Sequence, residues 1–208
     1  MKKIVLDFDD WSVLGNRFDL LLRLREHYPQ LKVSLFAIPF DARFETDTIA
    51  KMFREKAVKT AKENLDWIQL IPHGLTHIQS EFKNADKTTT QLALKAIDDA
   101  FKKDGLPYEK GFKAPFWEWN QDVVDALDKE GWWGAVDPRQ TDMLKTKKFY
   151  RHEFSIAEPY WLSEKDVWKL HGHMDSKSDN DFEECFIRLF KMPSDAEFRF
   201  VTDYLEEV

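Results

Sequence analysis

The sequence predicts an α/β fold whose parallel sheet closes, or nearly closes, into a barrel. Three observations carry that expectation. Strand-like and helix-like segments alternate from end to end, the connections are short, and polar, ligand-type residues gather just past the apolar runs. Repeated strand–helix units imply parallel pairing with right-handed crossovers. About seven strands in about 200 residues suit a barrel better than a large open sheet; a doubly wound open sheet is the alternative that periodicity leaves standing.

Each element has its own signal. Lys3 to Asp7 reads as a buried strand, and Asn16 to His27, with Phe18, Leu21, Leu22 and Leu24, as an amphipathic helix capped by Asn16. Leu31 to Ile38 is the second strand. Asp47 to Asn64 is a helix entered from Thr46 or Asp47, followed by a third strand from Trp67 to Ile71. Thr90 to Asp104 is a helix stopped by Gly105. Gly111 to Ala114 is a short strand, Asn120 to Glu130 a helix ended by Gly131, and Trp132 to Val136 a strand. Phe149 to Phe154 and Val167 to His171 are two further strands, and Met174 to Asp181 a polar loop. Asn180 to Lys191 is the last helix, and Phe198 to Val201 a last short strand before an acidic tail. With no internal repeat, low-complexity tract or Gly/Ser linker, residues 1–208 are expected to form one catalytic domain.

Composition narrows the function classes. A hydrophobic fraction of 43%, with 17 Phe and 8 Trp, supplies a sizeable core. The net charge of -7 argues against a nucleic-acid partner and against a polyanionic substrate. The one cysteine, Cys185, lies in a helical pattern and reads as a buried thiol, which excludes an intramolecular disulfide and a cysteine-based zinc site. No run is long and apolar enough to cross a membrane, and strand-like sequence begins almost at once, so a cytoplasmic location is expected.

Four clusters carry chemistry. His73-Gly74-Leu75-Thr76-His77 follows the apolar run Trp67 to Pro72; on one helical turn this spacing would put both imidazoles on one face, within reach of one divalent ion. Taken alone, such a pair is more often a strand cap and a packed histidine. Asp9 and Asp10 leave the first strand together, and adjacent carboxylates both stay ionised only near a cation or good donors. Their bland reading is a turn or cap pair, while Asp7 is a polar strand exit or a partner of a metal ligand. A carboxylate from this pair would complete a two-histidine, one-carboxylate site. Leu170-His171-Gly172-His173 ends another apolar run; Gly172 relaxes the backbone, so either histidine could face the barrel mouth as a general acid. Lys113, in Phe112 to Trp117, could hold a catalytic carboxylate in its ionised state. Trp11, Trp117, Trp119, Trp132, Trp133 and Trp161 fall mostly at strand ends or in loops, where aromatic faces suit stacking on sugar rings, though core packing explains several equally well. His152 and His27 receive no role.

In this chain order the clusters resemble the polysaccharide deacetylases of carbohydrate esterase family 4. Phe8-Asp9-Asp10-Trp11 matches that family's Phe-Asp-Asp-Gly motif except at the glycine. His73 to His77 matches its His-x-x-x-His motif, Lys113-Ala114-Pro115-Phe116 its Arg-x-Pro-Phe/Tyr motif with Lys for Arg, and Leu170-His171 its late histidine motif. The family's aspartate–tryptophan motif has no clear match, although Trp132, Trp133 and Asp137 are present. The resemblance runs from about residue 3 to about residue 173. It implies a distorted (β/α)7 barrel, with Asp9 as base, Asp10, His73 and His77 on the metal, and His171 as general acid with His173 competing. Lys113 would orient Asp9 more loosely than an arginine, and Trp11, Pro115, Phe116 and Trp117 would border the substrate. The implied cofactor is a divalent metal, zinc first, with cobalt, manganese or nickel as alternatives. The implied reaction is hydrolysis of an N-acetyl group on a sugar or glycan, releasing acetate. Its rivals are an amide or imide hydrolase acting on a small cytoplasmic molecule, and a catalytically weak glycan-binding relative. The substrate is thus a carbohydrate or small amide, with no nucleic-acid or membrane partner.

Overall fold

In the computed structural model, residues 1–12, 17–40, 48–137, 145–174 and 182–207 are described. One parallel sheet is built from β1 (Lys3–Trp11), β2 (Val33–Ala37), β3 (Ile68–Pro72), β7 (Phe154–Ser155) and β8 (Val167–His173), in the order β3-β2-β1-β8-β7. A short β9 (Glu197–Arg199) pairs with residues 3–5 of β1, on the edge that β2 takes over from Asp7 onward. The second sheet joins β4 (Gly111–Lys113), β5 (Trp133–Ala135), β6 (Lys148–Tyr150) and β10 (Glu206–Glu207), with β10 antiparallel to β6. A single bridge between His73 and Lys113 ties β3 to β4.

The barrel closes at a seam. The run predicted as one strand, Phe149 to Phe154, is broken: Tyr150 is still paired with β5, whereas Glu153 already donates to Lys169 of β8. Counted as one broken stave, β6 and β7 bring the ring to seven, the distorted (β/α)7 barrel expected. The apolar period cannot reveal this break, because Phe149 before it is buried and Phe154 beyond it still packs against the same core. His152 lies at the seam.

Alternation divides the core into two layers. Ile4, Leu6 and Phe8 of β1 face outward, into the large cluster they share with the helices. Val5 faces inward and packs with Phe36, Ile71, Trp133, Ala135 and Tyr150. The helices α1 (Phe18–His27), α2 (Thr48–Lys62), α3 (Lys87–Asp104), α4 (Gln121–Lys129) and α5 (Phe182–Leu189) correspond to the expected ones. Helix α3 begins earlier than its apolar pattern, because the Asp86 carboxylate caps it by accepting from the Thr89 N–H; Gly105 ends it in the left-handed conformation, as expected. The expected cap Asn16, the entry residues Thr46 and Asp47, and residues 175–181 lie outside the described residues. Among the described residues, no helix is long and apolar enough to cross a membrane.

Candidate metal centre and active site

The inward face of β1 turns polar after Val5. Asp7 and Asp9 follow at two-residue spacing, both almost fully buried. Strand β8 runs beside them in register, Asp7 opposite His171 and Asp9 opposite His173, so both histidines enter the same interior. Gly172 is not the hinge the sequence suggested. It sits within a continuous strand, and a Cβ there would fall 2.5 Å from Ile156 and 2.9 Å from Phe8, so its smallness serves packing.

Asp9 and Asp10 do not leave the strand together, because β1 continues to Trp11. A register shift between Phe8 and Trp11, with Asp10 at φ 63°, turns the two carboxylates apart. Asp9 points to Lys113, whose ammonium lies 2.7 Å from Oδ1. Lys113 is itself buried, within 4.7 Å of the Phe36 ring centre and 4.2 Å of Trp117, so it is a lumen residue and not a strand-edge lysine. Burial pushes the Asp9 carboxyl up, but Lys113 and then His171, His73 and His173 outweigh it and hold the group below the usual carboxylate range.

Asp10 turns to the other histidines. Its Oδ1 lies 2.9 Å from His77 Nε2 and 3.4 Å from His73 Nε2. These two are not on a helical turn. His73 ends the β3–β4 bridge, Gly74 has φ +65° and His77 φ 59°, and the loop is pinned by the Glu81 carboxylate accepting from the N–H groups of Leu75 and Thr76. Gly74 is required there for a second reason: a Cβ would meet Pro115 Cγ at 2.4 Å.

His73 Nδ1 lies 3.0 Å from the Lys113 carbonyl, so that nitrogen donates and, in the neutral ring, the lone pair on Nε2 faces Asp10 Oδ1. Two imidazole Nε2 atoms converge on this one carboxylate oxygen, and a lone pair facing it is repelled unless a proton or a cation stands between them. Asp10, His73 and His77 therefore fit a divalent ion: two imidazoles and one carboxylate whose ligand atoms lie within 4.8 Å of one another.

Two residues at this centre, Tyr150 and His152, went unassigned in the sequence, and Asp7 reads there only as a strand exit or a partner of a metal ligand. Asp7 accepts from the Tyr150 hydroxyl at 2.9 Å and from His171 Nδ1–H at 2.6 Å, which fixes the His171 tautomer. Burial raises Asp7 to about 6. His152 stacks on His171 with ring centres 4.5 Å apart, and burial, His171 and Lys113 lower it to about 3. Burial and Lys113 likewise push His171 well below its ordinary value. The spacing of Asp7 two residues before Asp9 was the one available signal; Tyr150 and His152 carried none, since they arrive from across the barrel.

The expected aromatic border is corrected. Trp11, Trp119, Trp132 and Trp133 are buried in the core, and Trp161 packs partly against it. Trp11 lines a small cavity with Ala37, Val58 and Phe101, beside the Arg54–Asp104 pair, away from the histidines. Pro115 is buried as well, supporting Gly74. Phe116 and Trp117 remain: Phe116 is 52% exposed with its ring 5.0 Å from His77, and Trp117 is half-buried over Lys113. Both hold positive φ, 56° and 59°, a strained turn of the kind found at functional sites.

No family model matches the sequence, and no curated protein matches it either. Solved structures do. A family 4 acetyl xylan esterase from Clostridium thermocellum has a TM-score of 0.61 at 10% identity, covering 97% of this chain and 89% of that one. A peptidoglycan N-acetylglucosamine deacetylase gives 0.59 at 10% identity, with 97% and 86% covered. A family 4 carbohydrate esterase pseudoenzyme from Bacillus anthracis gives 0.57 at 12% identity, with 97% and 64% covered. At these identities the likeness carries architecture, and the chain has the distorted (β/α)7 barrel fold of the carbohydrate esterase family 4 polysaccharide deacetylases.

Proposed function

We propose that the protein is a metal-dependent deacetylase that hydrolyses the N-acetyl group of a sugar or glycan and releases acetate. One observation carries the reading: a buried, ionised Asp9 held by Lys113 stands beside the Asp10, His73 and His77 cluster and opposite His171, whose tautomer Asp7 fixes. A divalent ion held by Asp10, His73 and His77, zinc by its nitrogen-and-oxygen donor set, would polarise the acetyl carbonyl and make water acidic enough to attack at neutral pH.

The chain's own residues handle the protons. Asp9 takes a proton from the attacking water through Oδ2, the oxygen that Lys113 leaves free. The proton then passes from Asp9 Oδ2 to His171 Nε2, 3.8 Å away and without a partner among the described residues, and from there to the departing amine as the C–N bond breaks. His173, with Nε2 3.9 Å from Asp9 Oδ2 and more exposed than His171, is the competing donor. Lys113 keeps Asp9 ionised, and its single contact leaves the carboxylate less constrained than a bidentate guanidinium would. Phe116 and Trp117 border the entrance.

A specific observation favours a second reading. With most of the tryptophans in the core, only Phe116 and Trp117 of the expected border remain beside the site, a short wall suited to a single sugar or another small amide. The test is acetate release from N-acetylglucosamine, its oligomers and small acetamides by zinc-, cobalt- and manganese-loaded protein. Release from the sugars supports deacetylation, and release from small acetamides alone supports the second reading. Binding of sugars without release from any substrate would make the chain a glycan-binding relative.

A further inference from the structure

We propose that Asp9, His171 and His173 form a second cation site, weaker than the first, whose occupancy stops turnover. The inference rests on the deacetylase reading for its effect on turnover, but not for its geometry. Lys113 engages only Oδ1 of Asp9. The other oxygen, Oδ2, faces three imidazoles, with His73 Nε2 at 3.7 Å, His171 Nε2 at 3.8 Å and His173 Nε2 at 3.9 Å. Ligand atoms of Asp9, His171 and His173 all lie within 4.8 Å of one another, independently of the Asp10 cluster. A tetrahedral zinc ion with bonds of about 2.0–2.2 Å keeps its ligand atoms roughly 3.3–3.5 Å apart, so a small inward closure would satisfy it.

His171 is prepared as a ligand. Its Nδ1–H donates to the Asp7 carboxylate, the carboxylate–histidine pairing that orients metal-bound imidazoles and leaves the lone pair on Nε2. That Nε2 is buried and has no hydrogen-bond partner among the described residues. His173 reaches the site because it lies two residues from His171 on the same strand, opposite Asp9 in the register. Two features keep the site weak: the Lys113 ammonium on the same carboxylate, and the neighbouring Asp10 cluster with its own divalent ion. A cation bound there takes the lone pairs that Asp9 and His171 need for proton transfer.

Equilibrium dialysis of the folded protein against rising free zinc, with bound metal counted by mass spectrometry, tests the site directly. The expected result is one ion bound tightly and a second at higher free zinc, with hydrolysis rising over the first step and falling over the second. His173→Gln should lose the second ion and keep the first; Asp9→Asn should do the same. Asp7→Asn should weaken the second by ~10–100-fold and leave the first intact. Far-ultraviolet circular dichroism establishes that each variant is folded, and the two direct ligand variants serve as replacements for one another. A single ion at saturating zinc overturns the second site while leaving the deacetylase reading intact, and so does a second ion retained by both ligand variants. No bound ion at all overturns both.

Discussion

The two histidine clusters reach the same rim by different routes. His171 and His173 stand on a continuous strand in register with Asp7 and Asp9, so ordinary two-residue alternation and parallel pairing aim all four inward. His73, His77 and Asp10 come together through irregular backbone: a bulge at the end of β1, positive φ at Asp10, Gly74 and His77, and a loop held by Glu81. The first group is placed by the sheet, and the second by local strain that the surrounding contacts must maintain. Side chains on the strands should therefore tolerate changes around them better than those on the loop. The two groups should also separate in function, with metal affinity residing in the loop cluster and proton transfer in the strand cluster.

The largest expected effect lies in the loop cluster. His77→Ala or Asp10→Asn removes one of three ligands, so metal content at low free zinc should collapse and activity with it. Asp9→Asn should keep the tightly bound ion and lose ~10²–10⁴-fold in turnover. Metal content and acetate release measured on the same samples separate the two. If Asp9→Asn strips the tight ion while Asp10→Asn retains it, the two aspartates have exchanged roles.

Lys113→Met sharpens the comparison within the strand cluster. It leaves Asp9 buried without its ammonium, a loss of about 3–5 kcal/mol for breaking a buried pair. Lys113 lowers the Asp9 carboxyl, so without it that group should rise, and the acid limb of the pH–rate profile should move to higher pH. An unmoved limb would detach Asp9 from the base role.

Gly74→Ala acts on the loop cluster alone. The left-handed backbone and the Pro115 contact both resist a Cβ, with a strain cost of roughly 1–3 kcal/mol. Zinc affinity at Asp10, His73 and His77 should fall, while the geometry of His171 and His173 is unchanged. Dialysis of this variant should show the tight step weakened; equal weakening of both steps would mean that the clusters are mechanically one.

The contrast also explains what was legible in the sequence. The barrel was readable because apolar runs and helix stripes repeat locally, and the clusters at strand ends were readable as residue types. The separation of Asp9 from Asp10 was not, since a one-residue bulge leaves no compositional trace. The helical placement of His73 and His77 failed because spacing alone does not distinguish a helical turn from a loop with Gly74 in the left-handed region. The tryptophans stayed ambiguous between sugar stacking and core packing for a related reason: position at a strand end does not give the face, and Trp11, Trp119, Trp132 and Trp133 turn into the core. Tyr150 and His152 became visible only when the broken β6–β7 stave carried them across to Asp7 and His171.

The smallest expected effect tests that seam through pH. His152, lowered to about 3 from an ordinary value of 6.5, binds a proton more readily when unfolded; it therefore removes stability as pH falls from 6.5 toward 3. Asp7 works in the opposite direction. Raised to about 6 from 3.8, it binds a proton more readily when folded, so its stabilisation is complete below 3.8 and is lost as pH rises through 6. Between these limits Asp7 opposes His152 and His171. His152→Gln removes one arm, leaving Asp7 opposed only by His171, which is also held below its ordinary value, so its melting temperature should decline less than that of the native chain as pH drops from 6.5 to 4. Thermal melts of both proteins across that range read the difference. Parallel curves would mean that His152 is protonated alike in the folded and unfolded chains, and that its stack on His171 does not exclude water.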